Sequence, residues 1–310
     1  MKDINKVSLH FKDDTIQRGI EKDLISFNDE NTRIFYNVKT KKNYNYKDPE
    51  EKIRANVFIR LVLDYGYNAE DIDFEVRVPR RTPEDLADIV VYEKGKDTQP
   101  YLVVECKKDG ISDSQFEQAI EQVFGNANSL GAKYSWVVAG NTDTAFDVKN
   151  FNSMEREKNV ISQIPVSYGQ APKYRFKKEK KSSKENRNSL KIVSREELIK
   201  TLEKCHDTVW QGGKLNPSDA FDEVSKILFC KLQDEKKTAV SEFYKFQVGT
   251  HEESSDIAER IHGIYKEGKE QDPNVFSENI KLEDDIIYKT VEHLQSININ
   301  KTDLDSKGVA

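Results

Sequence analysis

The chain has 310 residues, 36% of them hydrophobic and 34% charged, with a net charge of −6 and a mean hydropathy of −0.77. That length suits about two domains of ~150 residues each; no apolar run approaches the ~18–20 residues of a membrane span, and Met1-Lys2-Asp3-Ile4-Asn5 does not begin a signal peptide, so a cytoplasmic chain away from the membrane is expected. Three dispersed cysteines (Cys106, Cys205, Cys230) and five dispersed histidines make neither a disulfide framework nor a zinc knuckle, and the negative balance leaves any nucleic-acid contact to a local basic patch.

The first clear element is a helix opened by Asp48-Pro49-Glu50-Glu51, with Asp48 as N-cap, Pro49 at the first helical position and Glu51 at the capping-box position. Ile53, Val57, Leu61 and Val62 supply its buried stripe, and Gly66 ends it. Strand-like runs follow at residues 74–78, 89–92, 101–104 and 135–139. Between the last two, Phe116, Ala119, Ile120, Val123, Phe124, Ala127 and Leu130 recur at helical spacing. The order helix, hairpin, helix, strand predicts an α/β layer with a mixed sheet flanked by helices.

Residues 177–188 contain no apolar side chain and are crowded with lysine, which predicts a solvated linker or a flexible arm. Domains are therefore expected over 1–176 and 194–310, joined by a linker over 177–193. In the second, Ser194 and Glu197 read as a capping box before Leu198, Leu202, Cys205 and Val209; Asn216-Pro217 opens a helix with Ala220, Phe221, Val224, Ile227 and Leu228 inward. Further helical patterns at 257–265 and 286–294 make this a mostly α-helical bundle.

The chemistry lies in the hairpin. Leu86-Ala87-Asp88-Ile89-Val90-Val91-Tyr92 and Tyr101-Leu102-Val103-Val104-Glu105-Cys106-Lys107 flank a polar turn. A symmetric fold pairs Tyr92 with Tyr101 and sets Asp88 opposite Glu105, with Lys107 on the same face as Glu105. Opposed like charges repel. A divalent cation such as Mg²⁺, which takes carboxylate, carbonyl and water oxygens, removes that repulsion, and the lysine can then orient or polarise an attacking water. The Cys106 side chain points to the other face, into the core. As a bare pattern, Asp-x(16)-Glu-x-Lys also fits two charged strand ends on a surface hairpin.

With these residues in place, the segment from Asp48 to Asn141 resembles the PD-(D/E)xK nuclease fold, in particular the N-terminal nuclease domain of type I restriction enzymes. That family carries a helix with a glutamate and a nearby arginine, then an aspartate, Glu-x-Lys, and a helix with a glutamine; here these are Glu51 and Arg54, Asp88, Glu105 with Lys107, and Gln122. The resemblance implies a metal held by Asp88, Glu105 and the Cys106 carbonyl, a metal-bound water held by Glu51, and Lys107 serving the attacking water. Ala87 stands where the motif has proline, Asn126 where a tyrosine is common, and Gln118 competes with Gln122 for the glutamine role.

The run Trp210-Gln211-Gly212-Gly213-Lys214-Leu215-Asn216-Pro217, with Ala220-Phe221-Asp222-Glu223, Lys226-Ile227-Leu228-Phe229, Lys231 and Asp234-Glu235, resembles the N-terminal helical domain of N6-adenine DNA methyltransferases of restriction systems. In that run Trp210 and Phe229 read as core. Asn216-Pro217-Ser218-Asp219 is a helix start rather than an Asn-Pro-Pro-aromatic catalytic motif. No glycine-rich loop for S-adenosylmethionine and no Walker sequence is present. Residues 302–310 resemble the segment before a methyltransferase catalytic domain.

These resemblances imply the N-terminal part of a fused restriction–modification polypeptide: a Mg²⁺-dependent DNA endonuclease, with Mn²⁺ as substitute, lacking methyl transfer of its own. Double-stranded DNA, a methyltransferase catalytic domain and a target-recognition subunit or domain are the expected partners. The alternatives are a catalytically silent nuclease-like module for DNA binding or assembly, and a repair-type nuclease.

Overall fold

The computed structural model describes residues 14–79, 85–140, 142–152, 154, 156–180, 188–211, 214–271 and 278–301. Asn141, the lysine-rich stretch 181–187, Gly212, Gly213 and the tail 302–310 lie outside the described residues. The chain divides into two compact units, Met1–Pro172 and Lys173–Ala310. Among the described residues no helix is long and apolar enough to cross a membrane.

The first unit opens with elements that the sequence reading did not foresee. Helix α1 (Asp14–Glu21) precedes a three-stranded antiparallel sheet of β1 (Ile25–Phe27), β2 (Arg33–Tyr36) and β3 (Lys42–Asn45). The strands are three or four residues long, too short for a period-2 pattern to stand out.

Helix α2 (Pro49–Leu63) starts as expected, with the Asp48 side chain accepting the Glu50 amide. Its buried face is broader than the expected stripe, because Ala55, Phe58 and Ile59 join Val57 and Leu61 in the core. Glu51 does not close a capping box; it is buried and bonded to Tyr36 and Arg54 instead.

Among the described residues the main sheet has six strands in the order β4 (Ile72–Arg77), β5 (Leu86–Tyr92), β6 (Pro100–Lys107), β7 (Tyr134–Ala139), β8 (Thr142–Asp147) and β9 (Val160–Ile161). Only β6 and β7 run parallel, joined by the crossover helix α3 (Asp113–Leu130); a short helix, α4 (Arg156–Asn159), precedes β9. Helices cover both faces. Val57, Phe58 and Leu61 of α2 share a core with Ile89, Leu102 and Val104, whereas Ala119, Val123 and Ala127 of α3 share the other with Val90, Val103 and Val137.

The β5–β6 register is the expected one over Ile89–Val104, Val90–Val103 and Val91–Leu102. It then shifts between Val91 and Tyr92, so Tyr92 pairs with Pro100 rather than with Tyr101. A bulge of this kind adds a residue to one strand at the hairpin end, which the symmetric fold ignores.

A second irregularity matters more. Phe74 pairs with Ile89 and both belong to the α2-side core; the next registered pair, Val76 and Ala87, belongs to the α3-side core. Residues two apart on a strand normally share a face. Here the phase reverses on both strands at once, around Glu75, whose φ is +51°, and Asp88.

Helix α3 is capped at both ends: Ser112 and Gln115 form a reciprocal capping box, and Gly131 closes the C-terminus in the left-handed region at φ +74°. A Cβ on Gly131 would meet nothing within 4 Å, so the residue is required by backbone conformation alone. Gly131→Ala should therefore lower stability in urea unfolding by roughly 1–2 kcal/mol, the cost of holding an L-residue there.

The second unit contains four helices among its described residues: α5 (Arg195–Trp210), α6 (Pro217–Lys237), α7 (Ser254–Gln271) and α8 (Asp284–Leu294). Asn216 caps α6 through the Asp219 amide and Pro217 takes the first helical position, which accounts for that Asn-Pro pair. Ala220, Val224 and Ile227 face inward, but Phe221, expected beside them, is 65% exposed; one residue on from Ala220 is ~100° around the helix. Trp210, also expected in the core, is 37% exposed at the last position of α5. Phe229 packs edge-on against Tyr265.

Buried charges on α6 hold the irregular segments of this unit. Asp234 accepts the Phe246 amide, Glu235 accepts those of Ile299 and Asn300, and the Lys231 ammonium donates to the Gln295 carbonyl. Both ends of the lysine-rich stretch are tied through the backbone: Lys177 forms a β-bridge with Phe243, the Lys178 ammonium donates to the Glu235 carbonyl, and Lys191 forms a β-bridge with Ile297.

Candidate active site

The phase reversal of β4 and β5 assembles the site. The regular β5–β6 pairing stops at Ile89–Val104, and beyond it the Cys106 amide donates to Asp88 Oδ2 at 2.7 Å. The aspartate thus replaces a backbone carbonyl as partner of a strand N–H. Its other oxygen, Oδ1, accepts from Arg54 Nη2 at 3.0 Å.

Arg54 comes from α2. Its Nη1 lies 3.0 Å from Glu51 Oε2 and 3.5 Å from Glu75 Oε1, and its guanidinium stacks 4.9 Å from the centre of the Tyr44 ring. Tyr36 donates its hydroxyl to the second oxygen of Glu51. Both Glu51 oxygens therefore have partners inside the protein, and burial pushes the Glu51 carboxyl above its usual range against the pull of Arg54.

Glu105 stands on β6 beside Asp88. It is 2% exposed, Lys107 donates to its Oε1 at 2.7 Å, and Oε2 is buried with no hydrogen-bond partner. Burial, and next the charge of Asp88, push the Glu105 carboxyl up to about 8. Burial works to lower Lys107, but the charge and hydrogen bond of Glu105, with Asp88 behind it, raise it above its ordinary value. An unpartnered buried carboxylate oxygen is costly, and a divalent cation, which prefers oxygen ligands, would satisfy it.

Cys106 is buried in the α2-side core, and burial pushes its thiol well up. That leaves its carbonyl, not its sulfur, as the group a metal could use. Gln122 on α3 is half-buried, with Nε2 3.5 Å from Asp85 Oδ1, whereas Gln118 is exposed. Asp85 in turn adds to the upward push on Glu105.

Asp88, Glu105 and Lys107 are thus adjacent, and Glu51 joins them only through Arg54. Among the described residues no group of three or more His, Cys, Asp or Glu side chains is arranged to hold a metal ion by itself. The Arg54 guanidinium stands between Glu51 and Asp88, bonded to each.

Sequence reasoning missed Tyr36, Tyr44, Glu75 and Asp85. Tyr36 and Tyr44 belong to the small sheet, distant in sequence from the motif. Glu75 carries a signal in hindsight, as the acidic residue between Phe74 and Val76, where the apolar phase changes. In the same unit, Ile53, Asn56, Val57 and Arg60 of α2 line an open groove with Asp109, Val138 and Gly140 at the ends of β6 and β7, and none of the motif residues lines it.

Fold and cluster define the first unit as a mixed α/β domain with an aspartate, a glutamate and a lysine gathered at the kinked end of its central hairpin. Residues 49–165 match the family of the type I restriction enzyme R protein N terminus. The matched segment runs from the start of α2 past β9 and includes every residue of the motif. No curated protein matches the chain.

Proposed function

We propose that the first unit is a divalent-metal-dependent endonuclease domain of a restriction system, acting on double-stranded DNA. The observation that carries this reading is Glu105 Oε2, buried without a partner while Lys107 holds Oε1, with the Asp88 carboxylate on the amide of the next residue, Cys106. The match of residues 49–165 to a restriction-enzyme family supports the biological setting.

Asp88, Glu105 and the Cys106 carbonyl would hold the cation, Mg²⁺ or Mn²⁺. Bound there, it would supply positive charge to a phosphodiester and lower the pKa of a coordinated water. Glu105 and Asp88 would hold that charge from strand positions, and Lys107 would orient the attacking water and stabilise the negative charge developing on the non-bridging phosphoryl oxygens. Glu51 contributes by fixing Arg54, and Gln122 by fixing Asp85. In-line attack leaves a 5′-phosphate and a 3′-hydroxyl.

The helical unit is proposed as a docking part beside a methyltransferase catalytic domain and a target-recognition subunit, in keeping with its sequence resemblance. A second reading, a catalytically silent binding module, is favoured by one observation: Arg54 already occupies an oxygen of Asp88. The two separate in one assay. The full chain, incubated with supercoiled plasmid, should nick it in Mg²⁺ or Mn²⁺ and not in EDTA; binding to DNA with no cleavage under any divalent ion would favour the silent module.

A further inference from the structure

Four carboxylates, Glu51, Glu75, Asp88 and Glu105, meet two cations, Arg54 and Lys107, in this cluster. Two negative charges are left over when all four are ionised, the charge of one divalent ion. Arg54 is the pivot. It is 8% exposed and binds Glu51 and Asp88 through different nitrogens, with Glu75 close by. Its Nε is buried without a partner. Lys107, by contrast, leaves one oxygen of Glu105 open. The guanidinium therefore sits on the one carboxylate that links the Glu51 side of the cluster to the Glu105 side.

We infer that Arg54 is a resident counter-cation that competes with the divalent metal for Asp88, so that metal binding requires the Arg54–Asp88 bond to yield. This deepens the nuclease reading and rests on it. A guanidinium and a metal ion next to one carboxylate repel, and at an effective dielectric of ~20 two charges ~5 Å apart interact by several kcal/mol when one is divalent. Glu51 and Glu75 give the displaced guanidinium somewhere to stay, which keeps the cost of release moderate. The arginine thus stabilises the metal-free site and lowers its affinity for metal in the same contact.

The test is calorimetric titration of the full chain with Mn²⁺, comparing wild type, Arg54→Met and Arg54→Lys, with Asp88→Asn as the site control. Arg54→Met should bind Mn²⁺ at least about tenfold more tightly, with ~1.4 kcal/mol per tenfold change. Arg54→Lys, which keeps the charge but cannot bridge two carboxylates, should fall between it and wild type. In EDTA the Met variant should melt below wild type, and Mn²⁺ should raise its melting temperature by more. Damage to the fold would weaken metal binding, so tightening is diagnostic.

Unchanged or weaker Mn²⁺ binding by Arg54→Met, with binding abolished in Asp88→Asn, overturns the competition and leaves the nuclease reading standing. Should Arg54→Met fail to fold, Arg54→Lys decides by the same criterion. No Mn²⁺ binding by wild type or either variant at millimolar concentration, or binding indifferent to Asp88→Asn, would overturn the metal-dependent reading itself.

Discussion

Asp88→Asn and Glu105→Gln should each abolish metal-dependent plasmid nicking while leaving the first unit folded. Asparagine can still accept the Cys106 amide that Asp88 takes at 2.7 Å, so the hairpin keeps its shape, whereas alanine would leave a strand N–H unpaired. What is lost is charge. Removing one carboxylate from a two-carboxylate metal site forfeits several kcal/mol of transition-state stabilisation, on the order of 10³-fold or more in rate. Lys107→Ala should cost roughly 10²-fold in the single-turnover rate, since it removes the group that orients the attacking water. Its Mn²⁺ affinity should change far less. Wild-type nicking by any of the three, in a preparation freed of contaminating nuclease, would refute the assignment.

Glu105→Gln should also stabilise the metal-free protein, and only above mildly acidic pH. The Glu105 carboxyl is pushed up to about 8 from an ordinary 4.5, by burial first and then by Asp88. The folded state therefore holds a proton that the unfolded chain releases between those values. In that window the native state binds more protons than the unfolded one, so wild-type stability falls as pH rises from about 4.5 to about 8. Glutamine cannot ionise and still accepts the Lys107 hydrogen bond. The variant should match wild type near pH 4.5 and exceed it at pH 8 by roughly 1–3 kcal/mol. Mn²⁺ should reverse the order, because a ligand that binds only the folded state stabilises it, and only wild type keeps the full donor set. Melting curves in EDTA and in Mn²⁺ at pH 5, 6.5 and 8 give the comparison; parallel pH dependences of the two proteins would sink it.

The parts of the fold legible in the sequence are those whose signals are local and long. Asp48-Pro49 marks a helix start because cap and ring geometry are set by adjacent residues, and the repeat from Phe116 to Leu130 spans enough turns to be unambiguous. The β5–β6 register could be read because two apolar runs flank a single turn, although the bulge at Tyr92 could not. The small sheet of β1–β3 escaped because strands of three or four residues carry too little pattern.

Glu51 shows the limit most clearly. A capping box and a buried ion pair ask for the same residue at the same helix position, and only the location of Arg54, Tyr36 and Asp88 decides between them. Phe221 and Trp210 fail for a related reason. Helical spacing reports a stripe, but its edges and the helix ends depend on where neighbouring helices stop.

The concerted phase reversal at Glu75 and Asp88 bears on how strands β4 and β5 find their alignment. In a uniform antiparallel pair, a slip of one residue exchanges the two faces, but a slip of two restores them and changes only which residues of the same face meet. Strands β4 and β5 offer no such near-degenerate alternative. Phe74 and Ile89 must look one way while Val76 and Ala87 look the other, and a two-residue slip would set the left-handed step of Glu75 against a straight stretch of its partner. The kink therefore acts as an index mark, admitting one alignment. Glu75 and Asp88 are at once the residues that bring acidic groups together and the residues that keep the strands from mispairing, so the pressure to fold correctly and the pressure to keep the cluster fall on the same two positions.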